Sequence, residues 1–348
     1  MSDFTASPSG PRNPGPAADV SCALLFPGQG SQTPEMRHFV ARRCPELLTR
    51  CTELVGEDPF ARVEESTRFQ QPAIFCASIA GWRGLPDEVE PGAAAGHSLG
   101  ELAALAAAGV LTVDDALELV VLRGRLMAEA DDRGSMIALV GADEAEATTV
   151  AEAANLIVAN DNAPGQVVLA GDRDNFDRAE EVAGELGKRA IRLPVAGAFH
   201  SPSMAPAVAP FRAALDDVEL GEPRFKVFSC ASAQPFTDVR DELAGALIRP
   251  VRWRETFSAL HDAGATRFIE VGPGKVLARL AKRIVPGTKV ETPPDPTGAD
   301  GQANGASRET APAAPAEAAP STQAVRSTTA AQPATHPEGA PSEQAARA

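Results

Sequence analysis

AAAGHSLGE, residues 93–101, reads as a short strand at Ala93–Ala95 that gives way to a helix, with the pattern G-x-S-x-G at the change of direction. A strand turned sharply into a helix holds its serine in a strained conformation with the hydroxyl exposed. The amide after the serine then points toward a developing oxyanion, and the flanking glycines let neighbouring backbone come close. An ordinary glycine-rich turn can show the same letters, so the weight given to Ser98 comes from the strand–turn–helix setting.

Upstream, Cys22–Phe26 reads as a buried strand running into FPGQGSQ at 26–32. Downstream, Thr112 opens a helix that runs to about Ala130, with Asp115 at capping-box spacing. Short apolar runs alternating with longer helical patterns place the chain in the α/β class. The next segment has its own rhythm: strand 136–140, helix 143–154, strands 157–159 and 166–170 around an NDNAPG turn, helix 173–186 and strand 189–195. That β-α-β-β-α-β order is the ferredoxin-like arrangement. It predicts a small subdomain over residues 134–197, inserted into a larger α/β subdomain built from 21–133 and 198–291.

The 348 residues are 44% hydrophobic and 23% charged, ordinary for a chain with a sizeable core. A net charge of −15 argues against nucleic acid and against anionic lipid as partners. The five cysteines, Cys22, Cys44, Cys51, Cys76 and Cys230, form no C-x-x-C pair and no metal-ligand spacing, which suits reduced thiols in the cytosol. No apolar run has the length of a membrane span and no secretory signal is visible, so the expected location is cytoplasmic, with no membrane association. Residues 1–20 and 292–348 are rich in Ala, Pro, Gly, Ser and Thr, and cannot bury enough apolar surface to offset their ordering entropy. Both are expected to be disordered extensions.

A serine hydroxyl needs a base to take its proton. Of the five histidines, His336 lies in the tail, while His38 and His261 fall in helical stretches of mixed polarity. His97 adjoins Ser98 and is better placed to brace the turn. His200, in GAFHSPSM at the seam between the two subdomains, remains as either the base or an ordinary interdomain histidine. The helix from Thr112 places Ala116, Leu119, Val120, Arg123 and Met127 on one face, so Arg123 points toward the core. A guanidinium there requires an anion. Either an internal Asp or Glu or the carboxylate of a substrate can supply it.

FPGQGSQ, GHSLGE, LRGRLM at 122–127, GAFHS at 197–201, PVRW at 250–253 and VGPGK at 271–275, in that order, resemble the malonyl-CoA:acyl carrier protein transacylases and the related acyltransferases of polyketide synthases. The resemblance covers about Cys22 to Glu291. It implies an α/β-hydrolase-like large subdomain with an inserted ferredoxin-like small subdomain. It also implies Ser98 as nucleophile, His200 as general base, the backbone amides of Gln29 and Leu99 as oxyanion hole, and Arg123 as the grip on the free carboxylate. Phe199 matches the bulky residue of malonyl-using members. One added methyl on the substrate would cost only roughly 1–3 kcal/mol in such a pocket. In one respect the chain departs from the family: a position that often carries glutamine, near the carbonyl that orients the histidine, is Ala246 here.

The resemblance implies ping-pong transfer of malonyl from malonyl-CoA through Ser98 to the phosphopantetheine thiol of an acyl carrier protein, without metal or bound cofactor, in fatty acid or polyketide biosynthesis. A monomer is expected. Two rivals stay open: a serine hydrolase or thioesterase, with Asp161, Asp172 or Asp174 as the acid behind the histidine, and a non-catalytic assembly subunit. Lys275, Arg279, Lys282 and Arg283 share one face of a helix and form either a docking patch for an acidic carrier or a solvated basic face.

Overall fold

The computed structural model describes residues 20–130 and 133–293. The two expected disordered extensions therefore lie outside the described residues, apart from Val20, Thr292 and Pro293, and so does His336. The first flank contributes β1 (Cys22–Phe26), α1 (Met36–Arg43), α2 (Pro45–Val55), α3 (Thr67–Arg83), β2 (Ala93–Gly96), α4 (Gly100–Ala108) and α5 (Val113–Glu129). The middle segment gives β3 (Gly134–Val140), α6 (Glu144–Ala153), β4 (Ile157–Ala163), β5 (Gln166–Asp172), α7 (Phe176–Glu185) and β6 (Arg189–Arg192). The second flank adds α8 (Ala205–Asp216), β7 (Lys226–Phe228), α9 (Val239–Ala246), α10 (Trp253–Asp262), β8 (Arg267–Glu270), α11 (Val276–Ile284) and β9 (Val290–Glu291).

The two flanks build one parallel sheet in the order β7-β2-β1-β8-β9. Its centre is apolar on both sides because both sides are covered. From β1, Leu24 and Phe26 enter a core shared with α3, α4 and α5, whereas Ala23 and Leu25 pack with Trp253, Phe257, Phe268 and Leu277. α4, GELAALAAA, is buried all round and lies directly under the sheet. The strands end together, so the loops after β1, β2, β7 and β8 gather at one carboxyl edge, the usual place for a site in a parallel sheet.

The middle segment forms a separate antiparallel sheet in the order β4-β5-β3-β6, with α6 and α7 on one face. Alternation along β3 and β5 divides their side chains. Ile137, Leu139, Val167 and Leu169 pack under Val150, Phe176 and Val182, while Met136, Val168 and Ala170 join the core of the large sheet.

Several boundaries differ from the sequence reading. The NDNAPG segment is not all turn: β4 continues through Ala163 with two register shifts, leaving Pro164 and Gly165 to reverse the chain. The cause is a partner outside the hairpin. Val251 of PVRW pairs beside Asn160, donating to Ala159 O and accepting from the Asp161 amide at 2.8 Å each. The helix expected from Arg173 starts as one 3-10 turn, and β6 stops at Arg192 instead of Val195. At Thr112 half of a capping box is present: its hydroxyl accepts from the Asp115 amide and donates to the Asp115 carboxylate at 2.6 Å. A reciprocal box forms instead at Asp143 and Glu146.

Candidate active site

Ser98 leaves β2 on the sharp turn into α4 with φ of +54°, in the left-handed region that a side chain tolerates poorly. The turn is possible because its two glycines sit where no side chain fits. A Cβ on Gly96 would lie 2.0 Å from the Gly100 carbonyl carbon, and one on Gly100 would lie 2.2 Å from Phe26 O. Among the described residues four non-glycines adopt positive φ, and two of them are Ser98 and His200. Strain is thus concentrated on the two residues that meet. Ser98 Oγ and His200 Nε2 are 2.7 Å apart.

The imidazole is held from behind by backbone. His200 Nδ1 lies 2.9 Å from Ala246 O and 3.2 Å from Arg249 O, at the end of α9 and just beyond it. Two carbonyl acceptors require the proton on Nδ1, which leaves the Nε2 lone pair facing the Ser98 hydroxyl. A carbonyl needs no particular side chain, so Ala246 serves here as glutamine would. Burial, reinforced by the positive charge of Arg123, pushes the His200 pKa down to about 3, so the ring is neutral and able to accept a proton.

Arg123, 4% exposed on the inner face of α5, donates from Nη1 to Gln71 Oε1 at 2.7 Å and from Nη2 to Ser98 Oγ at 3.0 Å. Burial lowers its pKa to about 10, so it keeps its charge. The internal carboxylate allowed by the sequence does exist, but at one remove: Glu101 acts on Arg123 through space, without a direct ion pair. Gln71 is held in turn, since its Nε2 donates to Thr67 Oγ1 at 2.9 Å, and Thr67 Oγ1 donates to Gln29 Oε1 at 2.8 Å. Gln29 Nε2 reaches Gln70 Oε1 at 2.6 Å. One hydrogen-bonded chain therefore runs from Gln29 through Thr67, Gln71, Arg123, Ser98 and His200 to Ala246. Among the described residues neither the backbone N–H of Gln29 nor that of Leu99 donates to a backbone acceptor. Phe199 is buried, and with Gln29, Thr67, Gln70 and Val195 it lines a cavity of about 60 Å³. A larger cavity, about 280 Å³ between α2, α3 and α5, takes in none of these residues.

His97 faces away from the hydroxyl. Its Nε2 meets Asn162 Oδ1 at 2.8 Å, and its ring lies 5.5 Å from that of Trp253. His38 and His261 are exposed. The acids nominated for a hydrolase do not stand behind His200. Asp161 pairs with Arg254 at 2.7 Å, Asp172 pairs with Arg133 and caps Asp174, and Asp174 is exposed. On α11, Arg283 is engaged by Gln166 Oε1 at 2.9 Å and Pro164 O at 2.7 Å, so it ties the two sheets together rather than joining a free basic face.

Sequence reasoning missed Gln71, Asn162, Glu101 and Cys230. Glu101 had a signal, as the one charged residue in an otherwise apolar helix. Asn162 had none, because its segment read as a turn.

An acyl transferase domain profile matches residues 50–315. The chain is 37% identical to the malonyl CoA-acyl carrier protein transacylase of Haemophilus influenzae, over 76% of this chain and 92% of that one. It is 38% identical to the polyketide biosynthesis protein ThaF of Burkholderia thailandensis over 78% of this chain, and it spans 25% of that longer protein. A solved malonyl-transacylase in complex with its type II polyketide-synthase acyl-carrier protein superposes with a TM-score of 0.71 at 34% identity, covering 78% of this chain and 94% of that one. Among the described residues no helix is long and apolar enough to cross a membrane.

Proposed function

The chain belongs to the malonyl-CoA:acyl carrier protein transacylase family of acyl transferases, and on that premise we propose that it moves malonyl groups from coenzyme A to an acyl carrier protein through an ester on Ser98. The observation that carries this reading is the position of Ser98 Oγ, 2.7 Å from a neutral imidazole nitrogen and 3.0 Å from a buried guanidinium. Base and carboxylate grip meet on one nucleophile.

In the first half-reaction the Ser98 hydroxyl gives its proton to His200 Nε2 as the oxygen attacks the thioester carbonyl. The amides of Gln29 and Leu99 receive the oxyanion. The carbon–sulfur bond breaks, His200 returns the proton to the departing sulfur, and malonyl remains on Ser98 with its carboxylate on Arg123. In the second half-reaction the phosphopantetheine thiol of the carrier gives its proton to His200 and attacks the ester, and Ser98 Oγ leaves with that proton. These steps call on no metal or bound cofactor. Phe199 bounds the acyl chamber, and its bulk favours an unbranched malonyl group.

The partners are malonyl-CoA and an acyl carrier protein, in fatty acid or polyketide biosynthesis, consistent with relatives of both descriptions. A monomer is the simplest working form, because one chain supplies every group. Five free, buried cysteines support a reducing, cytoplasmic setting.

Incubation with malonyl-CoA followed by intact-protein mass spectrometry tests the assignment. The wild-type chain gains one malonyl group, and Ser98→Ala gains none. Labelling that persists in the variant moves the nucleophile elsewhere.

A further inference from the structure

The helix that follows the nucleophile carries a buried acidic group that the transfer described above leaves unused. Glu101 sits three residues after Ser98 and is 2% exposed. Its carboxylate accepts from the Cys230 amide at 2.7 Å, and the side chains of Cys230 and Ser229 act on it from the same loop. Ser229 Oγ takes the Ala231 amide at 3.2 Å, which leaves its own proton for Glu101. A backbone amide donating to a carboxylate favours its ionised form. The Glu101 backbone N–H donates to Ser98 O at 3.0 Å, so Glu101 is joined directly to the nucleophile's turn.

The charged and titratable neighbours are few. Arg123 on α5 acts on Glu101 through space. Cys230, in the loop after β7, has its thiol pushed up by burial and stays protonated. His97 and His200 are both lowered by burial and stay neutral near pH 7. Within this cluster, charge near neutrality rests with Arg123 and Glu101.

We propose that Glu101 is the resident counter-charge of Arg123, that it takes up one proton when the malonyl carboxylate arrives, and that it releases that proton when the malonyl group leaves. This rests on the reading that Arg123 grips the malonyl carboxylate. Two carboxylates sharing one guanidinium in a water-poor site repel each other, and the one nearer its proton gives way. Burial already pushes Glu101 up to about 7, against the pull of its donors and of Arg123. Once protonated it keeps its neighbours, because the Ser229 hydroxyl and the Cys230 thiol can turn to accept. The site thus holds the same net charge empty and loaded. Acylation itself conserves protons, since the Ser98 proton ends on the coenzyme A thiol, so the additional one comes from solvent.

The sign follows by linkage. Glu101 binds its proton more tightly in the malonyl-enzyme, so malonyl loading weakens as pH rises above about 7, by up to tenfold per unit. Acetyl loading, with no second carboxylate, lacks this dependence. The test mixes the full-length chain with malonyl-CoA or acetyl-CoA at pH 8 in weak buffer with a pH indicator, and counts each acyl-enzyme by intact mass. The expected result is about one more proton consumed per malonyl-enzyme than per acetyl-enzyme, with the difference gone in Glu101→Gln while malonyl-enzyme still forms. Equal proton counts in the wild type, or a difference that persists in Glu101→Gln, overturn the proposal. Should that variant fail to fold, the wild-type counts decide alone. A chain that forms no malonyl-enzyme overturns the underlying reading as well, whereas malonyl-enzyme without the extra proton overturns this proposal only.

Discussion

The two ends of the hydrogen-bonded chain through Ser98 are built on different principles. At the His200 end there is no charge: a neutral ring is fixed by two backbone carbonyls, and its basicity is set by burial. At the Arg123 end a guanidinium is buried with an amide and a hydroxyl as direct partners, and the Glu101 carboxylate acts on it through space. The first end can serve any acyl thioester, because nothing in it depends on what the acyl group carries. The second end is a guanidinium without a direct ion pair, and in the function proposed above a substrate carboxylate supplies one. On that proposal reaction type and substrate choice reside on opposite sides of one hydroxyl and should separate under mutation.

Arg123→Ala is the strongest attempt to break that separation. Removing the cation leaves the malonyl carboxylate buried and unpaired, a loss of roughly 3–5 kcal/mol, on the order of 10²–10⁴ in malonyl transfer. Acetyl transfer keeps its nucleophile and base and should survive or improve. The comparison is read from kcat/KM with malonyl-CoA and acetyl-CoA. Equal loss for both donors would make Arg123 a structural residue and merge the two halves.

A pH profile sharpens the other half. With an ordinary imidazole, of pKa about 6.5, the fraction of competent base at pH 5 would drop about thirtyfold. His200 is held at about 3 by burial and by Arg123, so it remains unprotonated there. Single-turnover acetylation of Ser98 should accordingly stay nearly flat from pH 7 down to 5. An acidic limb centred near 6.5 would mean that the ring is more hydrated than its surroundings indicate. Acetyl-CoA is the donor to use, because malonyl loading carries the separate dependence expected of Glu101.

What could be read in the sequence follows the same division. The Ser98 turn is announced by glycines that have no alternative sterically, and the inward direction of Arg123 follows from helical spacing alone. The small sheet was legible because its short apolar runs and helical stretches follow one another in the β-α-β-β-α-β order. By contrast, His200 is oriented by carbonyls, which every residue possesses, so no side-chain pattern marks them. Ala246 looked like a lost glutamine and is an intact acceptor. Gln71 and Thr67 are polar residues one turn apart on α3 whose meaning depends on α5 crossing them at Gly124, where a Cβ would come within 3.1 Å of Thr67 O. Helix packing of that kind is a tertiary fact, and the letters of α3 contain no trace of it.

Asn162 gives the smallest and most discriminating effect. It belongs to the small sheet, yet its side chain holds His97 beside the nucleophile of the large one, in a bulged stretch of β4 that Val251 draws out of the hairpin. If the seam only positions the turn, Asn162→Ala removes one part-buried hydrogen bond, leaves a neutral imidazole nitrogen unpaired, and costs about 1–3 kcal/mol. Part of that cost appears as lower stability, and the rest as a several-fold loss of Ser98 acylation. Because His97 touches neither the carboxylate grip nor the ring of His200, the loss should be the same for malonyl-CoA and acetyl-CoA. Measured acylation rates with both donors check this. A loss confined to malonyl would extend the charged half across the seam into the small sheet, and would show that substrate choice is not held by α3 and α5 alone.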